Sequence, residues 1–179
     1  MRLFFAVDVP PLPPWEPGSR RATSAPPEHI TVRFLGDMPA ERCADLDRAG
    51  SEAVAGLRPF PIELAPIGAF PSARSPRIVY VAPNLGTADF EVLAARLTEA
   101  LARIGIPPDP RPFAAHVTWR RIRSARDQSV ARVRLTEGAL GHPIATVVRA
   151  LLLKESELSS AGAVHRVIAE FLLGAASNP

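Results

Sequence analysis

The eight residues HITVRFLG, 29–36, decide how this chain is read. Ile30 and Val32 are β-branched and alternate with the polar His29 and Thr31, so the run predicts a strand with one core face and one polar face. Gly36 and Asp37 end it after Leu35. The same small pattern returns in HVTWRRIR, 116–123, which predicts a second strand from His116 to Ile122 carrying His116 and Thr118 on one face. A single His-x-Thr is a weak signal, since a lone strand histidine is more often a packed residue than a catalyst. Two copies on matching apolar strands favour function. On strict alternation Arg33 and Arg120 share the histidine faces, whereas Arg121 needs a bulge or a strand end to reach them.

Outward from these strands the chain alternates between sheet and helix. Residues 2–7 are aromatic and β-branched, as in a buried first strand, and the prolines between Pro10 and Pro27 exclude regular structure from most of that segment. Pro39 opens a helix reaching about Gly56, with Leu46, Ala49, Ala53 and Leu57 at helical spacing. Strands are expected at 60–64 and 78–81, joined by a proline-rich link that carries Phe70 and Arg74. Phe90, Leu93, Leu97, Leu101 and Ile104 mark a second helix, stopped by Gly105 and Pro107. Residues 144–153 and 165–172 read as two more strands joined by a turn around 159–162. The mixture predicts an α+β fold.

The 179 residues are 47% hydrophobic, enough to bury one continuous core, so one compact unit over 1–179 is expected. A net charge of +3, nearly all its cations arginine, favours polyanionic partners without requiring them. Cys43 is the only cysteine, which excludes an internal disulfide and a multi-cysteine zinc site and suits a reducing compartment. The apolar runs fall short of the roughly 18 residues of a membrane span, and the broken N-terminal stretch is too short for a signal peptide. A cytoplasmic protein with no membrane association is expected.

Opening a cyclic phosphate needs a base to deprotonate attacking water and an acid to protonate the departing ribose oxygen, on opposite sides of phosphorus. Two imidazoles titrating near neutrality supply both. The threonine hydroxyls would donate to the non-bridging oxygens, where charge builds. Carboxylates do not cluster beside either motif, so no metal is expected. His142, in a Gly-His-Pro turn, and His165, opening a strand, take the structural reading.

In family order the chain carries RLFFAVDVP, HITVRFLG, GAFPSARSPRIVYV, RPFAAHVTWRRIR and LLLKESELSSAGAVHRV. This series resembles the two-histidine phosphoesterases, specifically the LigT-like RNA 2',3'-cyclic phosphodiesterases, over nearly the whole length. The resemblance implies two pseudo-symmetric lobes of mainly antiparallel sheet with outer helices and a central cleft. It implies His29 and His116 as the acid and base pair, with the assignment between them open and His29 favoured as acid. Thr31 and Thr118 become phosphate contacts, and Arg121 matches the arginine after the second motif.

The same resemblance implies no metal or other cofactor and a monomer. Its implied substrates are RNA ends, including tRNA fragments, bearing a 2',3'-cyclic phosphate, opened to a 2'-phosphate, with 2',5' joining of tRNA halves in some members. Small cyclic nucleotides, an ADP-ribose cyclic phosphate and 2',5'-linked oligonucleotides are the rival substrates, and a non-catalytic RNA-binding module is the rival of another class. Two departures stand out. Relatives carry a helix where this chain has PPLPPWEPGSRRATSAPPE, 10–28, whose Arg20 and Arg21 are either solvated or RNA contacts. His165 stands where relatives often carry tyrosine.

Overall fold

The computed structural model describes residues 1–16, 28–159 and 162–174. Arg20, Arg21 and the centre of the expected 159–162 turn lie outside the described residues. Strands β1 (Arg2–Val9) and β2 (Glu28–Asp37) are followed by helix α1 (Cys43–Val54), entered through a short 3-10 turn at Ala40–Arg42. Then come β3 (Phe60–Phe70), β4 (Ile78–Leu85), helix α2 (Thr87–Arg103), β5 (Val117–Arg121) and helix α3 (Ala125–Glu137). Strands β6 (Ala139–Val148), β7 (Ala150–Ser159) and β8 (Gly162–Leu172) complete the order. Among the described residues the strands form one sheet in the order β6-β3-β4-β5-β2-β1-β7-β8, paired antiparallel throughout.

The sheet consists of two four-stranded lobes joined where β2 meets β5. One lobe is β2-β1-β7-β8 and the other β6-β3-β4-β5, so in chain order the second lobe is inserted between strands of the first. The helices cover one face. Leu46, Ala49 and Ala53 of α1 and Phe90, Leu93, Leu97 and Leu101 of α2 pack on Leu3, Phe5, Val7, Ile30, Val117, Leu151 and Leu153. Burying each large side chain of this set contributes about 1.5–3 kcal/mol, which fixes the sheet register as well as the helix positions. Cys43 opens α1, half-buried against this core.

Four sequence expectations are corrected. Strand β3 runs through Pro66 to Phe70 instead of stopping at Leu64, because a register shift between Leu64 and Pro66 absorbs the missing proline donor. Helix α3 was not expected. It buries only Asp127 and Ala131 and so has little apolar stripe, yet Ser124 caps it by accepting from the Asp127 amide at 3.0 Å. The single strand expected over 144–153 is two, parted at Arg149, with β6 serving one lobe and β7 the other. His142 lies exposed within β6 and not in a turn.

Candidate active site

The face of the sheet away from the helices carries both His-x-Thr motifs. Ile30 pairs with Val117 across β2 and β5, and both are fully buried in the core. Their flanking residues therefore point the other way: His29 and Thr31 from β2, His116 from the position just before β5 and Thr118 within it. The antiparallel register sets His29 across from Thr118 and Thr31 across from His116. The two histidines are then diagonal neighbours, for which separations of about 7–8 Å, somewhat less between Cβ atoms, are usual. That spacing leaves room for one tetrahedral group between two imidazoles.

Each imidazole is held by two rings. His29 lies 5.3 Å from Phe4 and 5.0 Å, edge-on, from His165. His116 lies 5.1 Å from Phe70 and 5.4 Å from Tyr80, which stack on one another at 4.5 Å. Tyr80 in turn rests on Gly68, where an added Cβ would come within 2.4 Å of the phenol. The His116 Nδ1 donates to the Ala114 carbonyl at 2.7 Å, since a carbonyl only accepts. Its Nε2 is left to face the cleft as an acceptor in the neutral ring.

Both motifs are followed by a bulge, and this re-sorts the arginines. On β5, Tyr80 pairs with Thr118 but Val79 pairs with Arg120, so Trp119 is the extra residue and Arg121, opposite Ile78, returns to the face of Thr118. Arg120 is turned to the helix side, where it donates to the buried Asp127 at 2.7 Å. Burial pushes the Asp127 carboxyl up, but the Arg123 amide, Arg120 and Ser124 outweigh it and hold the group below the usual carboxylate range. On β2, Ala6 pairs with Thr31 and Phe5 with Arg33, so Val32 is the extra residue. Arg33 accordingly faces the helices and donates to the Pro107 carbonyl. The expectation that Arg33 and Arg120 share the histidine face is overturned by these two bulges. Phe34, opposite Phe4, occupies the position in the first lobe that Arg121 holds in the second.

Across from His29 on β1, Asp8 pairs with the buried Lys154 ammonium of β7. Burial, and secondarily the Lys154 charge, push the His165 imidazole below its usual value, while Asp8 opposes the shift. His165, Phe4, Phe70 and Tyr80 were not expected at the site. The alternation rule assigns faces within a strand, but only the curl of the sheet brings these rings onto the histidines. Among the described residues, no group of three or more His, Cys, Asp and Glu side chains is gathered as a metal site, and no helix is long and apolar enough to cross a membrane.

The 2'-5' RNA ligase superfamily matches residues 15–154. A protein of Aeropyrum pernix called RNA 2',3'-cyclic phosphodiesterase is 31% identical over 145 residues, 79% of this chain and 80% of its own. One of the same name from Archaeoglobus fulgidus is 30% identical over 182 residues, covering 96% of this chain and 99% of its own. The fold is shared with a crystal structure of a Thermus thermophilus protein (TM-score 0.70, 23% identity, 97% of this chain and 98% of that one). It is shared also with E. coli LigT complexed with 3'-AMP (TM-score 0.69, 22% identity, 97% and 98%). A curled antiparallel sheet with two His-x-Thr strands at its centre, matched along most of the chain, makes this protein a member of the 2'-5' RNA ligase superfamily, the two-histidine phosphoesterases.

Proposed function

We propose that the protein hydrolyses the 2',3'-cyclic phosphate at an RNA end to a 2'-phosphomonoester, with His29 and His116 as the acid–base pair and no metal. The observation that carries this reading is the Ile30–Val117 pairing, which leaves the two imidazoles diagonal across adjacent strands with a threonine hydroxyl opposite each. Water attacks phosphorus as one imidazole takes its proton. The P–O3' bond breaks as the other imidazolium protonates the departing oxygen, leaving the phosphate on O2'. Thr31, Thr118 and Arg121 donate to the non-bridging oxygens as charge builds there. The hydrogen bond from the His116 Nδ1 to Ala114 leaves Nε2 unprotonated in the neutral ring, which suits His116 as the base and His29 as the acid.

The relatives' shared name, RNA 2',3'-cyclic phosphodiesterase, supports RNA bearing a 2',3'-cyclic phosphate as the substrate class. The test is hydrolysis of a 2',3'-cyclic phosphate by purified protein in excess EDTA, with the position of the product phosphate determined. Turnover is expected to survive the chelator and yield the 2'-phosphate. His29→Ala and His116→Ala are each expected to lose about a hundredfold or more. Activity abolished by EDTA and restored by metal, or near-normal turnover in either variant, rejects the mechanism.

A further inference from the structure

A cavity of about 290 Å³ opens beside His116, on the second lobe. Its aromatic walls are Phe70, Tyr80 and Phe113, and Thr87 and Glu91 border it from the first turns of α2. Thr87 and Glu91 are four residues apart, so they lie on the same face of the helix. The size is at the small end of the roughly 300–1,000 Å³ typical of small-molecule pockets, enough for one planar ring system.

The order of charge along β4 indicates what enters. Arg121 stands opposite Ile78, Thr118 opposite Tyr80, and Val117 opposite Val81, which brings His116 level with Ala82. Beyond Ala82 come Pro83, the cavity and Glu91. Cation, hydroxyl and imidazole therefore follow one another along β5, and the cavity that adjoins the imidazole carries a carboxylate at its border. A phosphate fits the cation and is repelled by the carboxylate. Aromatic walls bordered by an exposed carboxylate suit a nucleobase, which stacks on aromatic side chains and offers N–H groups on its Watson–Crick edge.

We propose that this cavity receives the base of the nucleotide that bears the cyclic phosphate, and that Glu91 makes guanine the preferred base; the assignment rests on the reaction proposed above. An ionised carboxylate only accepts. Guanine offers it two adjacent donors, N1–H and the N2 amine. Adenine and cytosine each offer an amine beside a ring acceptor, and uracil offers one N–H between two carbonyls that the carboxylate repels.

The experiment measures kcat and KM of the full chain on the four 2',3'-cyclic mononucleotides, and binding of guanosine and uridine 2'-monophosphates by calorimetry. Both are repeated for Glu91→Gln and Phe113→Ala, with Phe113→Leu as a milder second variant. The cyclic guanosine substrate is expected to lead the uridine one by about tenfold in kcat/KM. Glu91→Gln should erase that lead, lowering kcat/KM for the guanosine substrate and raising it for the uridine one, because the charge that repels the uracil carbonyls is gone. Loss of the Phe113 ring should raise KM for all four about tenfold with kcat within about twofold. Equal kcat/KM on all four bases, or a lead for uracil, overturns the guanine assignment, and an unaltered KM in both Phe113 variants overturns the cavity as the base site. Absence of turnover on every substrate would instead sink the proposed reaction. Binding then decides the cavity by itself: guanosine preference lost in Glu91→Gln sustains it, and indifference to base overturns it.

Discussion

Thr118 and Arg121 project from the same face of β5 although they stand three positions apart, because Trp119 is bulged out of the ladder between them. Arg120, the neighbour that alternation would have chosen, is bonded to Asp127 on the other side of the sheet. The two adjacent arginines should therefore fail in opposite ways. Arg121→Ala is expected to lower kcat/KM by about 10–100-fold, the worth of a charge-assisted hydrogen bond, with little change in stability. Arg120→Ala should leave turnover within a few-fold and cost about 1–3 kcal/mol, since it strips a partner from a buried carboxylate. Steady-state kinetics beside urea denaturation separates them, and a loss of turnover confined to Arg120→Ala would reverse the assignment.

Thr31 and Thr118 each lie one strand away from the opposite histidine. Replacing either by valine keeps the shape and removes the donor, so a drop of about a hundredfold in kcat is expected, with serine restoring most of it. Valine variants that turn over normally would remove the hydroxyls from the phosphate.

Gly68 is the seat of Tyr80. A methyl group there would meet the phenol at 2.4 Å, so Gly68→Ala must displace the ring that steadies His116. Over-packing of this kind costs about 1–3 kcal/mol. Misplacing a catalytic group by an ångström can cost up to about 100-fold in rate, so the variant should lose activity with its fold retained. Circular dichroism alongside kinetics checks this, and unimpaired turnover would show that Tyr80 is dispensable to His116.

His165 makes stability depend on pH. Its imidazole, ordinarily titrating near 6.5, is pushed lower in the folded chain by burial and by Lys154, with Asp8 opposing. Above pH 6.5 the group is neutral both folded and unfolded and contributes no slope. As pH falls through 6.5 towards the lower folded value, the unfolded chain takes up the proton first, so stability declines. Urea midpoints at pH 8 and pH 5.5 should therefore differ more for the native chain than for His165→Phe. Equal differences would mean that His165 does not carry the effect.

What could be read from the sequence was what repeats at short range. Ile30, Val32 and the 90–104 stripe of α2 announce their elements because the period of their apolar residues matches the strand or helix that buries them. Helix α3 hid because Ala131 is its one fully buried apolar residue, although Ser124 and Asp127 had the spacing of a capping box. The bulges at Val32 and Trp119 could not be read at all, since an extra residue is defined only against the partner strand. Both histidines were therefore legible, whereas alternation put Arg120 on their face and only the family resemblance pointed to Arg121. The rings around His29 and His116 come from β1, β3, β4 and β8, distances along the chain over which periodicity carries no information.

The interleaved order of the lobes bears on how the protein is made. Strand β1 lies between β2 and β7, and β7 leaves the ribosome only after every strand of the inserted lobe. Until it does, the nascent chain holds Leu3 and Phe5 on a strand with one raw edge, and the lobe that seats His29 is unfinished. The inserted lobe, with His116, has all its strands by Val148 and is free to form first. Truncation before Ala150 would thus abolish the scaffold of His29 while leaving that of His116 intact.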